Sequence, residues 1–367
     1  MNVLFLTFTY PTPEDPTAGI FVREHARAAA RHANVAVVHL HRGGGSYAIE
    51  DVPDEDFRTL RVRYPRSAFA YPRHFAGALA ATRRLRREGF EPDLIHAHVF
   101  LAALPPLLLR PAFRVPVVVS EHWSVFLPED PLELSRPVLA AARAALPRAA
   151  AVLPVSEALR AGMEAHGIRA RYEVVPNAFD PELFHPGEAS GSRLLTVGGL
   201  YEAKRLDVLL EALTLLPRGV GLDVVGDGPL RERYEAMSVS LGLEHAVTFH
   251  GYRPKEEVAR MMREAAAFVL ASDFETGSCV LIEAAASGAP IVSTAAGATS
   301  EIVAATGGLL AERGDPLSLA ARIAEALAGT TDREEVARRA RERYGLVRVG
   351  EQLRAVYERS VSSSSVP

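Results

Sequence analysis

The 367-residue sequence has little cysteine and no long apolar run. Its single cysteine, Cys279, excludes an internal disulfide and fits a reducing compartment, so we expect a cytoplasmic protein. No apolar stretch approaches the roughly 18 residues that a membrane-spanning helix needs. The first residues lack a basic segment and enter a strand pattern at once, so we expect no signal peptide.

Strong charge of one sign is also missing. The formal net charge is −4, which disfavours nucleic acid as a partner. No predicted strand is followed by G-x-G-x-x-G with a later ribose-binding acid, so a dinucleotide oxidoreductase is poorly supported. With 48% hydrophobic residues, the chain can bury a full core, and its length suggests two domains.

The most informative stretch that is present runs from Ala271 to Thr294 and reads as strand end, loop, helix and next strand. Ser278 can cap a helix over 278–286 by accepting a bond from a first-turn N–H. Glu275 lies in the loop, and Glu283 lies inside an apolar helix where an unpaired charge is costly. Because a helix N-terminus after a strand favours anions, the segment predicts a site for an anionic ligand that carries hydroxyls.

The first half alternates apolar strands with helices, which predicts a parallel sheet. A loop of about ten residues ends at Gly19, which would allow close backbone approach to a ligand. Residues 41–56 are expected to form a glycine-rich and then acidic loop with no readable chemistry. Strands are expected at 3–8, 35–40, 58–63, 93–98, 115–120, 149–156 and 172–176, with helices at 20–31, 73–88 and 157–166.

Histidines and arginines in this half have two interpretations each. His96 and His98 end a strand, but no third ligand lies at a recognisable spacing, so no metal site is predicted. His122 lies at a strand's carboxyl end, and this position favours contact with a ligand over a core role. The Arg73–Arg87 helix is either a solvated face or a patch for peripheral contact with anionic lipid at the inner membrane face, or for an anionic acceptor.

Residues 181–192 have linker composition, and the strand–helix alternation restarts at 193. Strands are expected at 193–197, 222–225, 247–250, 267–271 and 290–293, with helices at 205–216, 229–241, 255–265, 278–286 and 317–328. We therefore predict an α/β protein with two doubly wound domains, 1–180 and 193–343, and a final helix over 344–361. Gly198 and Gly199 before Lys204, together with Gly226, suggest close backbone approach to a phosphate beside a point charge. A solvated lysine at a helix start is the alternative.

These residues, in this order, resemble the retaining GT-B-fold glycosyltransferases of family 4 (glycosyl transferases group 1). The most specific match is Glu275…Glu283 with Gly288 and Pro290, which is similar to the family's Glu-x7-Glu motif. The resemblance implies two Rossmann-like domains that face each other across a cleft, with the last helix returning to the first domain. It also implies a nucleotide-sugar co-substrate, no metal and no other cofactor.

The resemblance assigns roles to matching positions. It implies that Glu283 binds ribose hydroxyls, that Lys204 neutralises the diphosphate, and that Glu275 and His122 contact the sugar. The remaining positions would also contact the donor. They are Gly19 in the first loop, Gly198, Gly199 and Gly226 in the glycine-rich turns, Tyr252 and Arg253 beside the base, and Thr276, Gly277, Ser278, Cys279 and Val280 in the loop and the start of the helix. Gly199 departs from the family's usual arginine, and Arg205 could supply the missing cation.

The implied reaction is transfer of a sugar to a hydroxyl acceptor on a glycan, glycolipid or small metabolite. UDP-sugars are among the expected donors and bacterial polysaccharide synthesis is among the expected settings. Lys204 and the helix N-terminus would stabilise the leaving diphosphate, and Glu275 would position sugar hydroxyls. A sugar-nucleotide epimerase on a related fold and a non-catalytic sugar-nucleotide-binding protein are the alternatives.

Overall fold

The computed structural model describes residues 1–12, 15–43, 46–54, 56–64, 70–189 and 191–364. Parts of the predicted loops around residues 9–19 and 41–56, and Ser190 of the predicted linker, lie outside these ranges. The chain divides into two compact units, residues 1–178 with 346–367 and residues 179–345. Each unit is described by itself.

Unit 1 is built on a seven-stranded sheet with the order β3-β4-β2-β1-β5-β6-β7. All neighbours pair in parallel except β3 and β4. Its elements are β1 (Asn2–Thr7), α1 (Ile20–Ala30), β2 (Asn34–Arg42), β3 (Ala48–Val52), β4 (Arg58–Tyr64), α2 (Ala70–Arg87), β5 (Leu94–His98), α3 (Phe100–Leu108), α4 (Arg110–Phe113), β6 (Val117–Glu121), α5 (Arg136–Ala145), β7 (Ala151–Pro154) and α6 (Glu157–Ala165). The central strands are apolar runs because helices cover both of their faces.

Two sequence-based predictions for this unit were wrong. The stretch 41–56 contains β3, which pairs antiparallel with β4 at the sheet edge, and its mixed polar sequence suits an edge strand. Residues 172–176 form no strand; Tyr172 makes an isolated bridge to Val152. The helices α3 and α5 were not predicted, and two prolines inside α3 obscure the helical pattern.

Unit 2 contains a six-stranded parallel sheet with the order β10-β9-β8-β11-β12-β13. Its elements are β8 (Arg193–Val197), α7 (Leu206–Thr214), β9 (Gly221–Val225), α8 (Arg231–Ser240), β10 (Val247–Gly251), α9 (Lys255–Glu264), β11 (Ala267–Leu270), α10 (Cys279–Ala286), β12 (Ile291–Thr294), α11 (Thr299–Thr306), β13 (Leu309–Ala311), α12 (Pro316–Ala328) and α13 (Arg333–Tyr344). The predicted strands and helices of this half are present within a residue or two, and α11, β13 and α13 were missed.

The short helix α10 lies in the core of unit 2. Its residues Leu281, Ile282 and 284–286 are buried, and Ala289 follows in the same cluster. Gly288 ends the helix with φ 73°, a conformation that glycine adopts without strain. Lys204 follows β8, and Glu275 lies between β11 and α10. Both site residues predicted from the sequence therefore lie at the carboxyl edge of this sheet.

The last helix, α14 (Leu346–Ser364), belongs to unit 1 and packs on α1. At Gly350 an added Cβ would lie 2.5 Å from the Ala28 carbonyl oxygen, so a glycine lets the two helices approach closely. Across the described part of the chain, every helix is too short or too polar to cross a membrane.

Candidate active site

Glu275 and Lys204 meet at the carboxyl ends of β11 and β8. Lys204 Nζ lies 2.5 Å from Glu275 Oε1, and Ser272 Oγ donates to the same oxygen at 2.8 Å. The Glu275 residue is only 9% exposed. A carboxylate this buried needs such donors, and two of them fix its position.

Backbone bonds hold the segments that carry this pair. Asp273 N donates to Ala203 O at 2.8 Å, which links the Glu275 loop to the turn that presents Lys204. Ala298 N donates to Glu275 O at 2.8 Å, which links the same loop to the start of α11. The two charged side chains are therefore positioned by the fold and not by each other alone.

Ser278 precedes α10, but the capping bond predicted for it is not made. Its hydroxyl donates to and accepts from nothing among the described residues, although Ser278 is only 5% exposed. A buried hydroxyl without a partner costs free energy. At a helix N-terminus it adds a hydrogen-bonding group to a place that already favours anions.

Glu283 lies one turn inside α10 with 6% of its surface exposed. Lys255 Nζ is 3.3 Å from Glu283 Oε1 and 5.3 Å from the centre of the Phe184 ring. The partner that the sequence required for this buried charge is therefore Lys255, the only lysine besides Lys204. Sequence reasoning missed it because 28 residues separate the two positions.

Two glycine turns pack against each other beside Lys204. An added Cβ at Gly226, whose φ is 128°, would lie 2.0 Å from Gly198 O, and one at Gly228 would lie 2.7 Å from Leu200 N. These glycines are required by the packing of the turns themselves. A concave pocket lined by Gly198, Gly199 and Lys204 lies in the same place.

Gly199 stands where the family usually has an arginine, and Arg205 was the candidate to replace that cation. A Cβ at Gly199 would lie 2.4 Å from the Tyr201 ring, so a larger residue needs Tyr201 to move. Arg205 has φ 46° and contacts both Asp207 at 3.1 Å and Asp273 at 3.3 Å. Two carboxylates already contact this guanidinium, so a diphosphate would compete with them for it.

The remaining donor-site candidates of unit 2 follow β10 or lie around the start of α10. Tyr252 is half exposed, and Arg253 contacts Glu257 at 3.3 Å. Gly277 is buried, whereas Thr276, Cys279 and Val280 are partly exposed.

Unit 1 holds Gly19 and His122. Gly19 precedes α1 with φ 65°, and a Cβ there would lie 2.3 Å from Thr9 O, so the loop's own closure requires a glycine. His122 Nε2 lies 3.0 Å from His98 Nδ1, and its ring lies close to those of Phe21 and His25. Burial lowers the pKa of His122 well below its usual value, so the ring is neutral.

Glu121, beside His122, is held by backbone amides. Its carboxylate accepts bonds from Phe100 N at 2.9 Å and from His122 N and Trp123 N at 3.0 Å. Burial nevertheless raises the pKa of Glu121 to about 7. These bonds fix the backbone that presents His122.

Part of the basic helix α2 is already paired within unit 1 and is less available for an anionic lipid or acceptor than its sequence suggests. Arg84 pairs with Asp51 and Glu88, and Arg86 with Glu91 at 2.9 Å. His74 is buried and stacks on Phe8. Two of the five arginines expected to meet a membrane or an anionic acceptor are therefore paired with carboxylates of unit 1, whereas Arg73, Arg83 and Arg87 are exposed.

Two family models match consecutive parts of the chain. "Glycosyltransferase Family 4" matches residues 18–183, and "Glycosyl transferases group 1" matches residues 186–343. The chain belongs to glycosyltransferase family 4. Family membership agrees with the resemblance that the Glu275…Glu283 segment gave.

Curated relatives are distant. An uncharacterized glycosyltransferase of Methanocaldococcus jannaschii is 27% identical over 64% of this chain and 65% of its own length. The sulfoquinovosyl transferase of Arabidopsis thaliana is 27% identical over 69% of this chain and 53% of its own length. The matches therefore span less than two thirds of either relative.

Solved structures share the whole fold of this family 4 chain. Sucrose-phosphate synthase from Thermosynechococcus elongatus matches with a TM-score of 0.80 and 20% identity over 99% of both chains. Anabaena HepE, solved in complex with UDP-glucose, matches with a TM-score of 0.76 and 20% identity over 98% of this chain and 99% of its own. These likenesses establish the GT-B fold.

Proposed function

We propose that this chain is a glycosyltransferase that moves a sugar from a nucleoside-diphosphate sugar to a hydroxyl acceptor. The observation that carries the proposal is the contact between Lys204 and Glu275 at the edge of the unit 2 sheet, next to the N-terminus of α10. A cation, an anion-favouring helix end and the Ser278 hydroxyl, which has no partner among the described residues, are the groups that a sugar diphosphate needs.

The proposed donor contacts follow from these groups. Lys204 and the start of α10 stabilise negative charge on the leaving diphosphate, and Glu283 binds the ribose hydroxyls after its contact with Lys255 opens. Glu275 orients sugar hydroxyls. A UDP-sugar is the first donor to test, since HepE was solved with UDP-glucose at 20% identity to this chain.

The proposed stereochemical course is retention. Lys204 and Ser272 both contact Glu275 Oε1 and hold the carboxylate in place, so we assign this residue the orientation of sugar hydroxyls and not attack on the anomeric carbon. In a front-face reaction the bond from the anomeric carbon to the phosphate oxygen breaks, and the acceptor oxygen bonds to the same face. The acceptor proton passes to the departing phosphate. An NMR assignment of donor and product anomers tests retention, and an inverted product contradicts it.

The acceptor is proposed only as a hydroxyl compound, since relatives named for colanic acid, amylovoran and inositol-phosphate chemistry all match this chain. The comparisons give no support to an epimerase. A cytoplasmic location with peripheral contact to a membrane, through the exposed arginines of α2, stays part of the proposal.

The test has two steps. A thermal-shift panel of UDP-, GDP-, ADP- and TDP-sugars identifies the donor, because a ligand of the native state raises the melting temperature. Release of free nucleotide is then measured with and without candidate acceptors. Acceptor-dependent release supports transfer. A donor that is bound or isomerised without acceptor-dependent nucleotide release would contradict it.

A further inference from the structure

Arg205 has a backbone conformation that an arginine rarely adopts. Its φ of 46° and ψ of 47° lie in the left-handed region, which glycine enters without strain and larger residues do not. Among the described residues, Val99 and Arg114 are the other non-glycine residues with a positive φ. A strained residue at the edge of a candidate site indicates that its side chain has a role there.

The strained turn lies between Lys204 and α7. A short 3-10 helix (Glu202–Lys204) precedes it, the Arg205 N–H donates to Glu202 O at 3.0 Å, and α7 begins with the next residue. The left-handed conformation changes the direction of the chain between the lysine of the candidate site and the helix. A glycine would make the same turn, so the turn alone does not explain the arginine.

The guanidinium of Arg205 links two segments that are 68 residues apart in the sequence. It contacts Asp207 in the first turn of α7 at 3.1 Å and Asp273 in the loop after β11 at 3.3 Å. The three side chains keep between 26% and 33% of their surface exposed, so these ion pairs add little to the stability of the fold. Their main effect is geometric, because they link the turn after Lys204 to the loop that carries Glu275.

Asp273 is the residue through which this link reaches the candidate site. Its N–H donates to Ala203 O at 2.8 Å, and its carbonyl oxygen accepts a bond from Arg313 Nη1 at 3.1 Å. The contact with Arg205 adds a side-chain link to these backbone bonds, two residues before Glu275. A carboxylate that orients a sugar must be held in place, since a shift of about 1 Å can lower a rate about 100-fold.

We propose that Arg205 is a positioning residue that holds the Glu275 loop (residues 271–278) in place through Asp273, a role that rests on the proposed transfer reaction. Arg205 does not bind the donor diphosphate itself, because a diphosphate would compete with two carboxylates for the guanidinium. Without Arg205 the loop keeps its backbone bonds but loses the side-chain contact that orients it against the Lys204 turn.

The test compares Arg205→Gly with Arg114→Gly in the full chain. Glycine removes a left-handed arginine in both cases, and Arg114 is an exposed residue of unit 1 with a φ of 59°. We expect both melting temperatures to lie within about 3 °C of the wild type. With the donor found by thermal shift, Arg205→Gly should lower kcat about 10–100-fold and leave the donor KM within about threefold. Arg114→Gly should keep the wild-type kcat and KM.

Asp273→Ala separates positioning from direct binding of the diphosphate. It should reproduce the loss of kcat, and the double variant with Arg205→Gly should be no slower than the slower single variant. If Arg205 bound the diphosphate directly, Asp273→Ala would leave the guanidinium available and would keep or lower the donor KM, whereas Arg205→Gly would raise it. That pattern would overturn the proposal.

The rate of alkylation of Cys279, the only thiol, gives a readout that does not depend on activity. Cys279 is partly exposed and begins α10 directly after the Glu275 loop, so a looser loop should expose it more often. We expect alkylation at least about threefold faster in Arg205→Gly and unchanged in Arg114→Gly.

The outcomes distinguish this role from the proposed function. A wild type without acceptor-dependent nucleotide release would contradict the proposed function and, with it, the role of Arg205. An active wild type, together with an Arg205→Gly variant that keeps the wild-type kcat or the wild-type alkylation rate, would overturn the role of Arg205 alone.

Discussion

Glu275 shares one carboxylate oxygen between the Lys204 ammonium and the Ser272 hydroxyl, and this contact separates two roles for the acid. A residue that attacks the anomeric carbon must be able to approach it, whereas a residue that positions a sugar must be held in place, as the two donors to Oε1 hold Glu275. The observed contacts favour the second role. They also make Lys204 and Glu275 one unit, so their single substitutions should not be additive.

We expect Glu275→Gln to lower kcat by about 10²–10³-fold, because it removes the charge that holds Lys204 in place for the leaving diphosphate. The change is nearly isosteric, so the melting temperature should change little. The measurement is acceptor-dependent nucleotide release. Glu211→Gln, an exposed change on α7, is the matched control and should keep wild-type rates. Turnover of Glu275→Gln within twofold of wild type would remove this residue from the site.

Glu283→Gln should act on donor binding and not on turnover. Loss of charge-assisted hydrogen bonds to ribose hydroxyls, each about 1.5–3 kcal/mol, predicts a KM for the donor about 10–150-fold higher with kcat nearly unchanged. Lys255→Met is the comparison, since it breaks the same ion pair but leaves the carboxylate. If both variants raise the KM equally, the effect comes from the ion pair and not from ribose binding.

At the scale of elements, the glycine turns after β8 and β9 pack against each other and also form part of the candidate site. The space between them is filled by backbone: an added Cβ at Gly226 would overlap Gly198 O. The turns can hold Lys204 beside the pocket only while both remain glycine-lined.

Gly226→Ala should therefore destabilise unit 2 by at least about 2 kcal/mol, since it adds a clash to an unfavourable φ. Gly191→Ala is the control, because a Cβ there meets nothing within 4 Å. Urea unfolding followed by reactivity of Cys279, the only thiol and a residue of unit 2, measures both. Equal midpoints for the two variants would show that the turns can separate without cost.

The sequence predicted the elements whose patterns are local. Apolar runs such as Val3–Leu6 identify parallel strands, and the order of Glu275, Glu283, Gly288 and Pro290 predicts a strand–helix–strand unit. It did not predict β3, whose edge position removes the apolar pattern, or α3, whose two prolines contradict helix propensity.

Contacts between distant residues could not be predicted in the same way. Lys255 beside Glu283, Ser272 beside Glu275 and the cluster of His25, His98 and His122 depend on how strands and helices are placed next to each other. The prediction that Ser278 caps α10 was wrong for a similar reason: local propensity does not fix the rotamer of a side chain in a packed turn.

At the scale of the whole chain, buried histidines distinguish unit 1 from unit 2. Burial lowers the pKa of His25, His39 and His74 to about 4, and of His96, His98 and His122 well below the usual value. The unfolded chain binds these protons near pH 6.5, so unit 1 loses stability as the pH falls from 6.5 towards 4. Each histidine with a pKa of about 4 lowers the free energy of unfolding by up to about 3 kcal/mol at pH 4.

Glu121 acts in the opposite direction, because its pKa of about 7 means that the folded chain binds this proton more readily than the unfolded chain does. Its effect is that of one group against the six histidines. We therefore expect the urea midpoint of unit 1 to fall steeply between pH 6.5 and 4. Fluorescence of Trp123, the only tryptophan, reports this unit alone. His39→Gln should reduce the pH dependence, and the exposed His185→Gln should leave it unchanged. A midpoint that is constant from pH 7.5 to 4.5 would contradict the account.

The most direct measurement of the central claim is a crystal structure of the full chain with the nucleotide sugar that gives the largest thermal shift. The account predicts the diphosphate beside Lys204 and the N-terminus of α10, with the Glu283 carboxylate within hydrogen-bond distance of ribose hydroxyls. A donor bound elsewhere, or a Glu283 that keeps Lys255 as its partner while the ribose lies distant, would contradict it.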